Sequence, residues 1–312
     1  MPRVAQNSDV ALSCTADNAP KPTSTRKASV SEQRSTEQSR TEHDPGGQDR
    51  AHQELRVLTE RRGHVLLIGL NRPEKRNAAD LLMLQQLSLA YGELDRDPGL
   101  RVGLVYAVGE HFTAGLDLAD IGPRLGPDGI DMVPDGGVNP WQVDGRAVSK
   151  PVVMAVQGTC LTLGIELMLA SEISVAAAST RFGQIEVARG ILPFGGATIR
   201  FPRAVGWGNA MRWILTGDMF DAAEALRIGL VQEVVPDGTE FDRALELAGR
   251  IAAQAPLAVQ ATLASARDAV RLGDAVAEAG LQPTLGVLAA SEDARIGMEA
   301  FRTRTAAEFV GR

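Results

Sequence analysis

The sequence is poor in the residues that cross-link chains or cage metals. It has two cysteines, Cys14 in a polar stretch and Cys160 in an apolar one, which argues against a disulfide framework or a thiolate cage. Its four histidines, His43, His52, His64 and His111, stand singly, with no HxxxH, HxH or CxxC spacing. No metal site is therefore expected. No uncharged apolar run reaches the eighteen or so residues of a spanning helix, because the most apolar region, 151–178, is interrupted by Glu166 and Glu172. No membrane partner is expected, and with no apolar N-terminal segment ahead of a small-residue cleavage site the expected location is cytoplasmic. A GxSxG elbow, a P-loop and a GxGxxG turn are all missing, which disfavours serine hydrolysis and nucleotide-dependent chemistry.

Charge is also unevenly supplied. The formal net charge is -7 over 312 residues, yet residues 1–50 hold seven Lys/Arg against seven Asp/Glu. The acidic surplus thus falls on the rest of the chain. An acidic body with 4% aromatics and no basic stripe disfavours nucleic acid as a partner. A phosphorylated ligand has to be met by a local cluster of cations.

What is present is a polar tail followed by a body. Residues 1–53 are rich in Ser, Thr, Gln, Glu, Arg and Pro without apolar periodicity, and read as a disordered tail. From residue 54 to about 255 a sheet-containing domain is expected, with a helical domain over 256–312. Residues 55–59 and 64–70 read as strands around the charged turn 60–63, and 71–77 as a loop, since Pro73 disfavours a helical Arg72. The spacing predicts a helix over 79–96, ended by Asp97-Pro98-Gly99, with apolar positions too dense for a clean stripe. The nearly continuous apolar run 102–108 has the pattern of a strand buried on both faces, hence a parallel sheet with helical crossovers. After a loop at 109–117, a Gly/Pro-rich segment over 122–140 is long enough to be a lid or binding loop. Helix is expected over 141–148, then strand 151–156, helix 164–172 and strand 173–178. Beyond Pro193 helices are expected, including 207–215 and 222–228, with a short strand at 231–235. From residue 239 the chain reads as helical, broken at Pro256, Gly273 and Pro283.

Three stretches carry a resemblance. They are HFTAGLDL at 111–118, KPVVMAVQGTCLTLGIEL at 150–167, and RFGQIEVARG at 181–190 continuing into PFGGA at 193–197; LTGD at 215–218, GLV at 229–231 and EDARIGMEAF at 292–301 add to them. Together they resemble the crotonase (enoyl-CoA hydratase/isomerase) superfamily from about residue 55 to the C-terminus. The resemblance implies an α/β fold of repeated ββα units with a C-terminal helical trimerisation domain. It also implies an acyl-CoA thioester as substrate, coenzyme A being part of the substrate rather than a cofactor, and a homotrimer or dimer of trimers.

It further implies two backbone N–H donors, at Leu116 and Leu163, forming an oxyanion hole for the thioester carbonyl. Both positions usually hold Ala or Gly, so two leucines would narrow the site. Read without the resemblance, Ala114-Gly115 is equally a plain turn and Leu163 a core leucine. Glu166, set among Leu, Gly, Ile and Met, is costly there unless it faces a polar cavity, or else is a first-turn acid favoured by the helix dipole. Glu186, twenty residues on, reads alone as a solvated loop acid; matched to the family it is the second catalytic glutamate. Two carboxylates suit hydration of a 2-enoyl thioester, with Glu166 as base and Glu186 as acid, better than isomerisation with one. Coenzyme A contacts are expected from Arg72, Lys75 and Arg76, from Ala114 and Leu116, and from Phe301 toward an adjacent subunit, although the 72–76 run also reads as a solvated charge cluster. Asp117 is expected to anchor the oxyanion loop. A non-catalytic acyl-CoA-binding protein is the alternative of a different class.

Overall fold

Val57–Arg62 (β1) and Val65–Leu70 (β2) pair antiparallel, Val57 opposite Leu70 and Arg62 opposite Val65. The turn therefore falls at Gly63-His64, with Gly63 at φ 59°, and not at the charged 60–63 run. Glu60, Arg61 and Arg62 belong to an exposed edge strand, where charged side chains deter edge-to-edge pairing. The structure is a computed structural model that describes residues 55–126, 129–143 and 145–312; the expected tail over 1–53 lies outside the described residues.

Strands Val102–Ala107 (β3), Val152–Val156 (β4), Ile173–Ala177 (β6) and Glu233–Val235 (β9) extend the sheet in the order β1-β2-β3-β4-β6-β9, parallel from β2 onward. Thr159–Leu161 (β5), Arg181–Gly183 (β7) and Met219–Asp221 (β8) form a second, three-stranded sheet. The chain alternates between the two, β4 then β5, β6 then β7. The periodicity of such short strands is too brief to read from sequence, and this second sheet went unpredicted.

Both faces of the main sheet are covered, which explains its unbroken apolar strands. On one side lies Leu81–Arg96 (α1), capped by Asp80, whose side chain accepts from the Met83 amide. Its excess apolar residues resolve into a buried set including Met83, Leu84, Leu87 and Leu94, with Leu89 exposed. Short helices Leu118–Ile121 (α2) and Leu163–Leu169 (α3) follow, then Ala197–Val205 (α4), Trp207–Thr216 (α5) and Ala222–Ile228 (α6). On the other face Glu240–Ala252 (α7) lays Ala244, Ala248 and Ala252, spaced four apart, against Leu67, Leu104, Val153 and Val175. Alanine at each of these positions lets helix and sheet approach closely.

Three helices end the chain: Pro256–Leu272 (α8), Asp274–Ala289 (α9) and Glu292–Thr303 (α10). Pro256 and Gly273 mark boundaries as expected, but Pro283 lies inside α9, and the break falls at Ala290-Ser291. The helix expected over 141–148 is absent among its described residues, which form turns and bends. Asn139 Oδ1 takes the Trp141 amide at 2.9 Å, a turn contact that competes with a helical start. No helix among the described residues is long and apolar enough to cross a membrane.

Candidate active site

The site grows from the contact between two loops. Thr113 pairs with β5, its amide donating to the Thr159 carbonyl (3.0 Å) while its carbonyl accepts from the Leu161 amide (3.0 Å). That pairing sets the loop after Thr113 beside the turn after Leu161. Gly115, at φ 97°, approaches so closely that a Cβ there would stand 2.2 Å from Thr162 Oγ1. Thr162 adopts φ 48° and ψ -111°, a backbone conformation L-residues rarely hold, which turns the chain into α3. Strain of this kind persists only where the surroundings enforce it.

The result is a pair of unused amides. Ala114 N–H donates to the Arg76 carbonyl, Gly115 N–H to Thr113 Oγ1 and Asp117 N–H to the Ala79 carbonyl, whereas Leu116 N–H has no acceptor among the described residues. Leu163 N–H, at the first turn of α3, likewise has none. Both leucines line one cavity of about 660 Å³, together with Ala114, Glu166 and Glu186.

Glu166 is 3% exposed on α3, and Glu186 is 6% exposed at the start of the 3-10 turn Glu186–Arg189. Folding thus brings the two acids to one cavity, as no single helix face can. Glu166 Oε1 accepts the Ala197 amide at 3.1 Å, and the neighbouring Gly195 and Gly196 amides also favour its ionised form. Glu186 Oε1 accepts from Gln184 Nε2 at 2.8 Å, while its buried Oε2 has no hydrogen-bond partner. Burial pushes Glu166 up to about 7, against the three amides and the charge of Arg200, which favour the ionised form. Burial also pushes Glu186 up to about 7, with the neighbouring Glu166 charge adding to the rise. The two environments differ in kind: one carboxylate has three amides and a cation, the other its own backbone amide, the Gln184 side chain and no cation.

The Gly195, Gly196 and Ala197 amides, together with Trp141, were not assigned roles from sequence. A glycine pair just ahead of a helix was the available signal, since Gly196 takes φ 108° and turns its neighbouring amides inward. Trp141 Nε1 donates to the Leu163 carbonyl at 3.0 Å.

The expected coenzyme A residues divide. Arg72 is spent inside the protein: its Nη1 bonds Asp117 Oδ2 (2.8 Å) and the Ala78 carbonyl (2.8 Å), and its Nε lies 3.4 Å from Asp80 Oδ2. It corrects the expectation of a phosphate-binding cation, because its charge already holds Asp117, whose carboxyl is thereby kept below its usual range and caps α2. Lys75 and Arg76 are exposed, with no side-chain hydrogen bond or ion pair among the described residues, and Arg76 adjoins Ala114 through the backbone bond. Phe301 is 84% exposed and does not line this cavity.

A chain in which two unused amides and two buried acids border one cavity, on an alternating two-sheet α/β scaffold, has the outline of one class of enzyme. The enoyl-CoA hydratase/isomerase family model matches residues 60–312. The chain is similar to enoyl-CoA hydratase EchA19 of Mycobacterium tuberculosis, 36% identical over 261 residues, covering 82% of this chain and 97% of that protein. It is 34% identical to (E)-benzylidenesuccinyl-CoA hydratase of Thauera aromatica over 260 residues, covering 82% and 99%. The crystal structure of a probable enoyl-CoA hydratase/isomerase from Mycobacterium abscessus superposes with a TM-score of 0.81 at 57% identity, covering 83% of this chain and all of that one. The chain belongs to the enoyl-CoA hydratase/isomerase family, with the crotonase fold, and is one of its enzymes.

Proposed function

We propose that this enzyme adds water across the double bond of a trans-2-enoyl-CoA to give a 3-hydroxyacyl-CoA. The observation that carries the reading is the pairing of two buried carboxylates with two free amides around one cavity. Leu116 and Leu163 N–H hold the thioester oxygen, and Glu166 takes a proton from water as the hydroxyl adds to C3. The electron pair moves onto the oxygen as an enolate, which the two amides stabilise. Glu186 then gives its proton to C2.

The division of labour follows from the surroundings. Three amides and Arg200 favour ionised Glu166, suiting a base, whereas Glu186 has its own amide and Gln184 but no cation, one oxygen without a hydrogen-bond partner and the Glu166 charge beside it, suiting a proton donor. Curated relatives named as hydratases support hydration over isomerisation.

Lys75 and Arg76 meet the phosphates of coenzyme A beside Ala114. The exposed apolar residues of α8 to α10, among them Leu272, Leu285, Val287 and Met298, support a homotrimer or dimer of trimers, in which Phe301 reaches the ligand of a neighbouring subunit. The test is to mix purified protein with trans-2-enoyl-CoA and follow loss of the conjugated-thioester absorbance, with a 3-enoyl-CoA in parallel. Hydration of the former is expected; conversion of the 3-enoyl thioester alone would identify an isomerase, and binding without turnover of either would favour a scaffold role.

A further inference from the structure

Away from the two acids, the walls of the cavity are almost wholly apolar. Leu84, Ile130, Met132, Val143 and Phe194 line it, and besides Glu166 and Glu186 its polar side chains among the described residues are Thr162 and the exposed Arg189, apart from the indole N–H of Trp141. A volume of about 660 Å³ is in the range that encloses a ligand of drug size, roughly 300 to 1,000 Å³. The part beside Ala114 and Leu116 belongs to the thioester end of coenzyme A, and a four-carbon acyl group in the remainder does not cover the apolar surface of Ile130, Met132 and Phe194. Burying each further methylene contributes roughly a fourfold gain in binding, from about 0.8 kcal/mol per CH₂.

Trp141 stands where this space is decided. It is 3% exposed, its Nε1 is bonded to the Leu163 carbonyl, and its Cδ1 lies 3.1 Å from the place a Cβ on Gly195 would occupy. One indole thus bonds the turn that presents the Leu163 amide and lies over Gly195, two residues before the Ala197 amide that bonds Glu166. Behind it lies a second apolar hollow of about 10 Å³, and Trp141, Leu84 and Leu163 border both spaces. Trp141, Leu84 and Leu163 together form the wall between the cavity and this small hollow, and the indole is the largest of the three side chains.

We propose that the site takes a long or bulky, wholly apolar acyl group of about eight carbons or more, and that Trp141 is the residue that sets its size limit. The inference rests on the acyl-CoA reading above. A charged or hydroxylated tail would be stripped of water against Ile130, Met132 and Phe194, with the exposed Arg189 the one cationic partner among the described lining residues. Because the indole N–H also fixes the Leu163 carbonyl, Trp141 is in addition a positioning residue for the adjacent amide.

The test uses the full chain and two sets of probes. Binding of saturated acyl-CoAs of four, eight and twelve carbons, and of an eight-carbon acyl-CoA ending in a carboxylate, is measured by calorimetry. Hydration of the matching trans-2-enoyl-CoAs is measured for the parent, Trp141→Phe and Trp141→Ala. Affinity is expected to rise at least tenfold from four to eight carbons, and the carboxylate-ended probe to bind at least tenfold more weakly than its apolar counterpart. Trp141→Phe should keep the chain-length ratio while kcat falls about three- to tenfold with little change in KM, the effect of one lost hydrogen bond. Trp141→Ala should shift the preference toward longer or bulkier acyl groups. Equal affinity for four and eight carbons, or preference for the carboxylate-ended probe, overturns the proposal, as does an unchanged chain-length ratio in a folded Trp141→Ala protein. If the saturated probes bind in the expected order but no enoyl thioester is hydrated, the hydratase reading falls and the acyl-group inference stands. Should Trp141→Ala not fold, the parent series and Trp141→Phe decide the question.

Discussion

Glu166 Oε1 accepts a hydrogen bond from the Ala197 amide at 3.1 Å, across 31 residues of sequence, so a helix-borne acid is held by the N-terminal end of a different helix. Its ionised form is thereby stabilised inside an apolar cavity that otherwise disfavours charge. Much of the chemical behaviour of the site follows from that opposition.

Activity should depend on pH as a bell. With both acids pushed up to about 7, hydration requires one ionised and one protonated carboxylate. The kcat/KM profile with a trans-2-enoyl-CoA is expected to peak near pH 7 and fall on both sides. A profile flat from pH 5 to 9 would contradict this.

Stability should fall as pH rises through the same window. Glu166 titrates at about 7 when folded and near 4.5 when unfolded, so between these values the folded chain keeps a proton that the unfolded chain has lost. The favourable difference is complete below about pH 4.5 and is lost as pH rises to about 7, a penalty on the order of 3 kcal/mol. Glu166→Gln cannot ionise and escapes it. Its Tm should exceed the parent's by roughly 5 °C or more at pH 8 and match it near pH 5, as read by calorimetry.

Gly195→Ala should damage activity more than folding. A Cβ there would lie 2.5 Å from Glu166 Oε2 and 3.1 Å from Trp141 Cδ1, and the atom able to yield is the carboxylate. A fall in kcat of about tenfold to 100-fold is expected, since displacing an acid-base group forfeits much of its roughly 100-fold or greater contribution. Thermal unfolding should change by only a few degrees.

Arg72 and its basic neighbours should separate in their effects. Arg72→Ala leaves Asp117 without its ion-pair partner in a largely buried setting, while Asp80 keeps Arg56 at 3.0 Å, and is expected to cost about 2 kcal/mol after allowance for partial exposure. The joint change of Lys75 and Arg76 to Ala should leave Tm unchanged but raise KM severalfold at low salt, with the difference shrinking as salt is added. Urea unfolding and KM at two ionic strengths distinguish the two cases.

The sequence carried the parts of this site that are local. The isolated charge of Glu166 in an apolar run and the continuous strands 102–108 and 151–156 signal burial without any coordinates. What was illegible depended on distance in space. Arg72 read as a free cation because its partners Asp117 and Asp80 lie on other segments, and three-residue strands such as β5 and β7 have no period to detect. Trp141 sits in a loop read as helix, and its importance comes from touching Leu163 and Gly195, which sequence spacing does not reveal.

The claim that two acids act on one water is tested most directly by turnover of trans-2-enoyl-CoA in Glu166→Gln, Glu186→Gln and the double variant. Each single change is expected to lower kcat about 100-fold or more, and the double variant to stay within about tenfold of the slower single one, because groups that work as a unit are not additive. Single variants that hydrate at nearly the parent rate, or losses that multiply in the double variant, would contradict the account.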